Sequence, residues 1–382
     1  MYLWLLYAVA LVTTSKAYPL LYDDWTAQDL KDYILQRAND QSSPVLDSNF
    51  NIGGDELGQV SAVDVDSDGH VYVFHRADRP WTLSTYKANS DILTDEAKTP
   101  IGKDTILKVD PKSGQKIESF GKDIFNVPHG LTIDHKDNIW VTDVGRHQVL
   151  RIPKGATKPD LELGEKFVSG DDDKHFCKPT DVAVASNGDF FVADGYCNNR
   201  VLKFSSTGKL SQWGVKEGNN GMTPYTLNIP HSLTLIEELD LICVADRENS
   251  RALCYNAGLH SAQTPSQAQF NRTLIPQSEI GRVFAIAYNK AAQEVVAAGV
   301  VSEAPIIEND SILYPPRAFT YDLEGHLVTS WAFITQDMAE LGPSLIHDLC
   351  VSKNGQDFYL ADLDQQRVYK YTSNWEADLG GV

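Results

Sequence analysis

The sequence lacks a long apolar run beyond its first residues, and it is poor in positive charge. No stretch after residue 17 approaches the roughly 18 consecutive apolar residues that cross a bilayer, so we expect a soluble mature protein without a transmembrane span. Lysine and arginine number 33 against 52 aspartates and glutamates, which gives a net charge of -19. Because phosphate binding requires clustered lysine and arginine, this balance argues against nucleic acid as a partner.

The cysteines also lack a metal-binding pattern, since none of the five has the close spacing of a zinc knuckle. Residues 1–17, MYLWLLYAVALVTTSKA, form a short apolar run that ends in small and polar residues, as in a signal peptide. A membrane anchor is the alternative, but the run is too short for one. We therefore predict a secreted protein, or one in the lumen of the secretory pathway, with disulfides and one cysteine left over. Asn271 and Asn309 begin glycosylation sequons that agree with export.

One short segment recurs along the chain. The copy PHGLTIDHKDNIWVTD has the pattern of strand, tight turn and strand, because apolar residues alternate on both sides of a turn. The six copies begin at Val60, Pro128, Pro179, Pro230, Val283 and Ile346. Their spacing predicts an all-β fold, a six-bladed β-propeller with one four-stranded sheet per repeat.

The repeats also suggest the domain boundaries. We assign residues 1–17 to the signal peptide, 18–57 to an N-terminal extension, 58–376 to the propeller and 377–382 to a C-terminal tail. Within the extension, residues Thr26 to Ala38 have the pattern of a short amphipathic helix with a capping box at Thr26 and Asp29. Insertions near residues 79–99 and 300–316 are expected in loops.

Three histidines occupy one repeat position in alternate blades. Aligned on the repeat, this position carries Ser61, His129, Thr180, His231, Phe284 and His347. In a propeller, the innermost strand of each blade lines the central channel, so side chains from alternate blades approach one point on the axis. Three imidazoles with an open fourth position form the ligand set of a catalytic zinc ion. The alternative is that each histidine simply begins a strand.

The residues just past the second strand of a blade share the rim with these histidines, because that strand returns to the face where the first one began. They are Arg76, Tyr196 and Arg247. Two guanidiniums bind a carboxylate well, and a phenol can move a proton, so this set suits an anionic substrate. Surface arginines and a buried tyrosine are the alternative interpretation. The aspartates shared by most repeats are instead expected to anchor loops.

A second cation site is predicted beside the first. Asp348 follows the third histidine and offers hard oxygen ligands, and the carbonyl groups of Val63 and Leu131 lie at the adjoining repeat position. Such oxygen ligands suit calcium. The alternative for Asp348 is a hydrogen bond at a strand end.

Several motifs together resemble the peptidyl-α-hydroxyglycine α-amidating lyases, which are propellers related to NHL repeats. The likeness extends from Gly58 to Tyr371 and is carried by LGQVSAV, VFHRAD, PHGL, HFCKPTDVAV, DGYCNNR, PHSL and CVADREN. It implies zinc on His129, His231 and His347, calcium on Val63, Leu131 and Asp348, and catalytic roles for Arg76, Tyr196 and Arg247. It also implies disulfides Cys177–Cys197 and Cys243–Cys254, which leave Cys350 as a free thiol.

The resemblance implies a reaction and a partner as well. The family cleaves peptides that end in α-hydroxyglycine to the peptide amide and glyoxylate, and this chain carries no copper monooxygenase domain, so we expect a separate peptidylglycine monooxygenase to supply the substrate. One departure concerns the last histidine, which follows Leu345 and Ile346 where the family usually has Met-Pro. The remaining alternatives are a calcium-dependent propeller lactonase or hydrolase, and a non-catalytic NHL-type binding module. A monomer is expected.

Overall fold

The computed structural model describes residues 43–52, 57–205, 207–216, 221–260, 268–277, 281–300, 317–332 and 345–373. The strands of these residues form six four-stranded antiparallel sheets. The first strand of each sheet contacts the first strand of the next, and the last of these contacts, between β22 (Ile346–Val351) and β2 (Val60–Val65), closes the ring. This arrangement is a six-bladed β-propeller, as predicted.

Blades one to five each take their four strands from one continuous stretch of the chain, and the strands run in order from the channel outward. Blade one contains β2 Val60–Val65, β3 Val71–His75, β4 Ile106–Val109 and β5 Lys116–Phe120. Blade two contains β6 Pro128–Ile133, β7 Ile139–Asp143, β8 Gln148–Ile152 and β9 Leu161–Leu163. Blade three contains β10 Asp181–Val184, β11 Phe190–Asp194, β12 Arg200–Ser205 and β13 Gly208–Trp213.

The second half of the ring repeats this order. Blade four contains β14 Pro230–Ile236, β15 Leu241–Asp246, β16 Arg251–Asn256 and β17 Phe270–Ile275, with short 3-10 helices at Glu237–Leu239 and Arg247–Asn249. Blade five contains β18 Arg282–Asn289, β19 Glu294–Val300, β20 Arg317–Asp322 and β21 Leu327–Ala332. Blade six contains β22 Ile346–Val351, β23 Asp357–Asp362, β24 Arg367–Thr372 and β1 Val45–Leu46.

Blade six is completed by a strand from the other end of the chain. Val45 pairs with Thr372 and Leu46 pairs with Tyr371. Strand β1 lies inside the region predicted as an N-terminal extension, so part of that region belongs to the propeller. The predicted signal peptide, the helix over residues 26–38, the tail and Asn309 lie outside the described residues.

Apolar side chains between neighbouring blades form the core. One cluster joins blades one and two through Phe74, Ile106, Leu131 and Leu150, because alternate residues of each strand face the adjacent sheet. Both disulfides of the implied pattern are present, Cys177–Cys197 and Cys243–Cys254. Cys350 is a buried free thiol.

The shared aspartates act as the loop anchors that the repeats suggested. The carboxylate of Asp143 accepts hydrogen bonds from the backbone N–H groups of Asn126, Val127, Gly145 and Arg146, over distances of 2.6–3.0 Å. A second set of aspartates fastens blade to blade. Asp64 accepts the N–H of Ile133 at 2.6 Å, and Asp181 accepts that of Leu233 at 2.7 Å.

Candidate metal centre

A β-bulge directs each of the three histidines toward the channel. The pairing register of the first two strands shifts between Pro128 and Leu131 in blade two, between Pro230 and Ser232 in blade four, and between Ile346 and Asp348 in blade six. A bulge leaves one residue outside the ladder and changes the direction of its side chain. In each of these three blades the displaced residues include the histidine.

The three imidazoles meet at one point. Their ring centroids are 4.9 Å apart for His129 and His231, 4.6 Å for His129 and His347, and 4.7 Å for His231 and His347. All three side chains are buried, and one ring nitrogen of each lies within 4.8 Å of the other two. These residues are able to hold a metal ion.

The substitution of Leu345-Ile346 for Met-Pro leaves the third histidine in place. Ile346 pairs with Asp362 in the same register that joins Pro128 to Asp143 and Pro230 to Asp246. The strand therefore begins at the same point in all three blades, and no proline is needed to set it.

The orientation of each ring is fixed by a carbonyl group of the next blade. Nδ1 of His129 lies 2.8 Å from the carbonyl oxygen of Thr180, Nδ1 of His231 lies 2.7 Å from that of Phe284, and Nδ1 of His347 lies 2.6 Å from that of Ser61. A carbonyl oxygen only accepts, so Nδ1 carries the proton in each ring. The Nε2 lone pairs consequently face one another, which is how histidines are prepared for a metal by their outer partners.

Burial keeps these imidazoles neutral. It lowers the pKa of His129 and His231 well below the ordinary value, with further lowering from the neighbouring positive groups, and it lowers the pKa of His347 to about 3. Nε2 of His231 is buried and has no hydrogen-bond partner among the described residues. Three converging nitrogen acceptors, one of them unpaired, fit a bound cation that prefers nitrogen ligands.

Tyr196 lies beside this centre and Arg247 lies next to Tyr196. The hydroxyl of Tyr196 lies 3.0 Å from Nε2 of His129, and Nη1 of Arg247 lies 3.5 Å from that hydroxyl. The Arg247 guanidinium also packs on the rings of Tyr196 and Phe284, at 5.4 Å and 5.0 Å from their centroids. Glu248 accepts a hydrogen bond from Nε of Arg247 at 2.8 Å and so fixes its direction.

Arg76 is a buried cation with an unused donor. Its side chain is 1% exposed, Nε donates to the carbonyl oxygen of Pro128 at 2.9 Å, and Nη1 donates to Oε1 of Gln59 at 2.8 Å. Nη2 is buried without a partner among the residues described. Burial lowers the pKa of Arg76 to about 10, so the group stays charged at neutral pH. A carboxylate placed beside it would supply the missing acceptor.

Gln59 and Trp81 belong to the site but were not predicted. Oε1 of Gln59 accepts from Nη1 of Arg76 and, at 2.7 Å, from the backbone N–H of Trp81. The Trp81 ring lies 5.2 Å from the Arg76 guanidinium and 5.1 Å from the Tyr196 ring. Both residues had a signal, since Gln59 lies within LGQVSAV and Trp81 lies in the insertion after the second strand of blade one, on the histidine rim.

The predicted calcium residues line one cavity farther along the channel. Val63, Leu131 and Asp348 face it together with Asp64 and Asp181. Oδ2 of Asp348 accepts the N–H of Val63 at 3.0 Å, so the strand-end hydrogen bond considered as the alternative is present. Burial raises the pKa of Asp64 to about 6 and that of Asp181 to about 7. Burial thus favours the neutral form of both carboxyl groups.

Two remaining expectations concern the surface. Asn271 is exposed on β17, where its side-chain amide donates to Asn256 at 2.8 Å. Within the described ranges, no helix has the length and apolar character that crossing a membrane requires.

The fold and the centre define a class, an NHL-type propeller with an axial three-histidine site. The NHL repeat family matches residues 125–152 and 176–204. Among solved structures, hydrazine synthase from Kuenenia stuttgartiensis is similar in fold alone, with a TM-score of 0.52 and 8% identity, over 84% of this chain and 97% of that one.

The sequence relatives are more specific. Peptidyl-α-hydroxyglycine α-amidating lyase 2 of Drosophila melanogaster is 36% identical over 93% of this chain and 82% of its own length. The peptidylglycine α-amidating monooxygenase of Rattus norvegicus is 42% identical over 60% of this chain, which corresponds to 24% of the rat protein. The chain belongs to the peptidyl-α-hydroxyglycine α-amidating lyase family. It is therefore a lyase, and family membership disfavours the lactonase and the binding module.

Proposed function

We propose that this lyase cleaves peptides ending in α-hydroxyglycine into the peptide amide and glyoxylate, with zinc bound by His129, His231 and His347. The observation that carries the proposal is the buried guanidinium of Arg76, whose Nη2 lacks a partner among the described residues and whose charge lowers the pKa of His129 and His347. A substrate with a terminal carboxylate and a hydroxyl on the adjacent carbon has one group for each. Zinc fits the three nitrogen ligands better than calcium, which prefers oxygen.

The residues of the chain divide the chemistry between them. Bound zinc supplies a Lewis acid that makes the substrate hydroxyl more acidic. Arg76 and Arg247 bind the carboxylate from two sides and so fix the carbinol carbon under Tyr196. Tyr196, acting as phenolate, takes the hydroxyl proton. As the carbon–oxygen bond becomes a carbonyl, the carbon–nitrogen bond breaks. Tyr196 passes the hydroxyl proton to the departing amide nitrogen, so the reaction neither consumes nor releases a proton.

The second ion and the cellular setting complete the proposal. Calcium is proposed on Asp348 and the carbonyl oxygens of Val63 and Leu131, which belong to blades six, one and two, and its role would be to hold those blades together. The protein is proposed to be a secreted monomer. Its substrate would come from a separate copper monooxygenase, which agrees with the rat relative, named a monooxygenase, that extends far beyond the matched region.

Glyoxylate release tests the proposal directly. Purified protein is incubated with an α-hydroxyglycine-extended peptide, with and without a chelator and then with zinc restored. We expect glyoxylate from the metal-replete protein, loss with chelator and recovery with zinc. His129→Ala should abolish activity, whereas His147→Ala should not, because His147 is an equally buried histidine outside the centre. Absence of glyoxylate from metal-replete protein would exclude this substrate, and chelator-resistant activity would exclude only the metal mechanism.

A further inference from the structure

We infer that Trp81 contacts the substrate residue that precedes the hydroxyglycine and gives the enzyme a preference for aromatic side chains there. The inference rests on the proposed function. Trp81 lies in the long loop that joins β3 to β4, and its backbone N–H is held by Oε1 of Gln59 at 2.7 Å. Gln59, which also holds Arg76, therefore fixes the backbone of Trp81, and the ring packs against Tyr86 and Tyr196.

The Trp81 ring belongs to one continuous set of contacts that reaches the metal centre. Its centroid lies 6.4 Å from the His129 ring and 5.1 Å from the Tyr196 ring, and the Arg76 guanidinium lies 5.2 Å from it. His129 and Arg76 are fully buried, but Trp81 is partly exposed. Trp81, like Tyr196, therefore extends from the buried groups of the site toward solvent.

The shape of the substrate brings the residue before the hydroxyglycine toward Trp81. Its carboxylate and carbinol bind at the buried groups, so the rest of the peptide must leave toward solvent past the partly exposed residues of the rim. On the opposite side, Arg247 is backed by Glu248, which also pairs with Arg282 at 3.1 Å. An apolar side chain would have to displace water from those charges. The tryptophan ring offers it an apolar surface instead, with a gain from ring–ring packing if the side chain is aromatic.

Trp81 also packs on the Arg76 guanidinium, so Trp81→Ala removes a contact with Arg76 as well as the apolar surface offered to the substrate. Weaker support of Arg76 would reduce turnover of every substrate in proportion. Loss of a direct contact would depend on the side chain before the hydroxyglycine. The comparison between substrates therefore separates a contact from a structural role.

The test uses three substrates: N-acetyl-α-hydroxyglycine, N-acetyl-alanyl-α-hydroxyglycine and N-acetyl-phenylalanyl-α-hydroxyglycine. For the wild type we expect the KM of the phenylalanyl substrate to be roughly fivefold below that of the alanyl one. Trp81→Ala should remove this difference by raising the phenylalanyl KM relative to the other two, any fall in kcat should be common to the three substrates, and Trp81→Phe should retain part of the difference. Leu83→Ala is the matched control, because Leu83 is fully exposed on the same loop.

Each other result overturns the inference. An equal loss of kcat/KM on all three substrates would make Trp81 a support for Arg76 only, and unchanged kinetics in both Trp81 variants would remove it from the binding surface. An equal loss of preference in Leu83→Ala would assign the contact to the tip of the loop. A wild-type protein that releases no glyoxylate from any of the three substrates is a different outcome, because that would refute the proposed function itself.

Discussion

Two substitutions of Gln59 test separately its hydrogen bond to Arg76 and the charge beside the Arg76 guanidinium. Its Oε1 holds two donors, Nη1 of Arg76 at 2.8 Å and the N–H of Trp81 at 2.7 Å. Gln59→Ala leaves a buried charged donor without its acceptor, which costs about 1–3 kcal/mol of unfolding free energy. Because the guanidinium also becomes free to move, we expect kcat/KM to fall by roughly tenfold to a hundredfold.

Gln59→Glu makes the opposite change. The carboxylate still accepts from both donors, so the unfolding free energy should stay close to that of the wild type. It also neutralises the field of Arg76, so the substrate carboxylate binds less well and KM should rise while kcat changes little. The pair is measured by urea denaturation of the metal-replete protein and by glyoxylate release over a range of substrate concentrations.

A matched glutamine lies outside the site. Oε1 of Gln148 accepts from Nε of Arg146 at 2.8 Å, and both residues are buried. Gln148→Ala should therefore lower the unfolding free energy as Gln59→Ala does and leave the kinetics of the folded enzyme unchanged. If Gln59→Ala lost stability but kept its full kcat/KM, the positioning of Arg76 by Gln59 would be refuted.

Three further predictions follow from the same site. Zinc should remain bound at pH 5.5, because burial lowers the pKa of the three imidazoles, to about 3 for His347, and protons therefore compete with the metal only far below the ordinary histidine range. Metal analysis after dialysis checks this, and zinc release with a midpoint near pH 6.5 would contradict it. Glu248→Gln should lower KM roughly threefold to tenfold with unchanged folding, because the glutamine oxygen still accepts from Nε of Arg247 while the negative charge that offsets the guanidinium is gone; a raised KM would contradict this electrostatic reasoning. Replacing Cys177 and Cys197 by serine should cost about 2–4 kcal/mol of unfolding free energy, and it should lower kcat because Tyr196 adjoins the disulfide. Urea denaturation measures the first effect and kinetics of the folded fraction measure the second. An unaltered kcat would show that the disulfide does not position Tyr196.

The predictable part of the fold was the part that repeats. Six copies of one hairpin predicted six blades, because each copy carries the same alternation of apolar residues around a turn. Strand β1 had no such signal. Two residues, Val45 and Leu46, cannot show a period, and their pairing with Thr372 and Tyr371 joins positions at opposite ends of the chain.

The site divides in the same way. The position of the histidines followed from aligning the repeats, and Arg76, Tyr196 and Arg247 followed from the direction of the second strands. Gln59 and Trp81 did not, because their importance lies in contacts between a loop and a neighbouring strand start rather than in any repeat position. The channel carboxyl group of Asp181 was missed although Asp181 follows Thr180 as Asp348 follows His347, so the aligned repeats did carry a signal for it.

The pairing of β1 with β24 makes blade six the last blade that can form during synthesis. His129 and His231 lie in blades that are built from continuous stretches of chain, but His347 lies in the blade that requires both ends of the propeller sequence. In a chain that emerges from the ribosome, the blades that carry His129 and His231 can form before the blade that carries His347. The complete three-histidine set therefore exists only once blade six has formed, so we expect a chain that ends before His347 to bind the proposed metal more weakly than the finished ring.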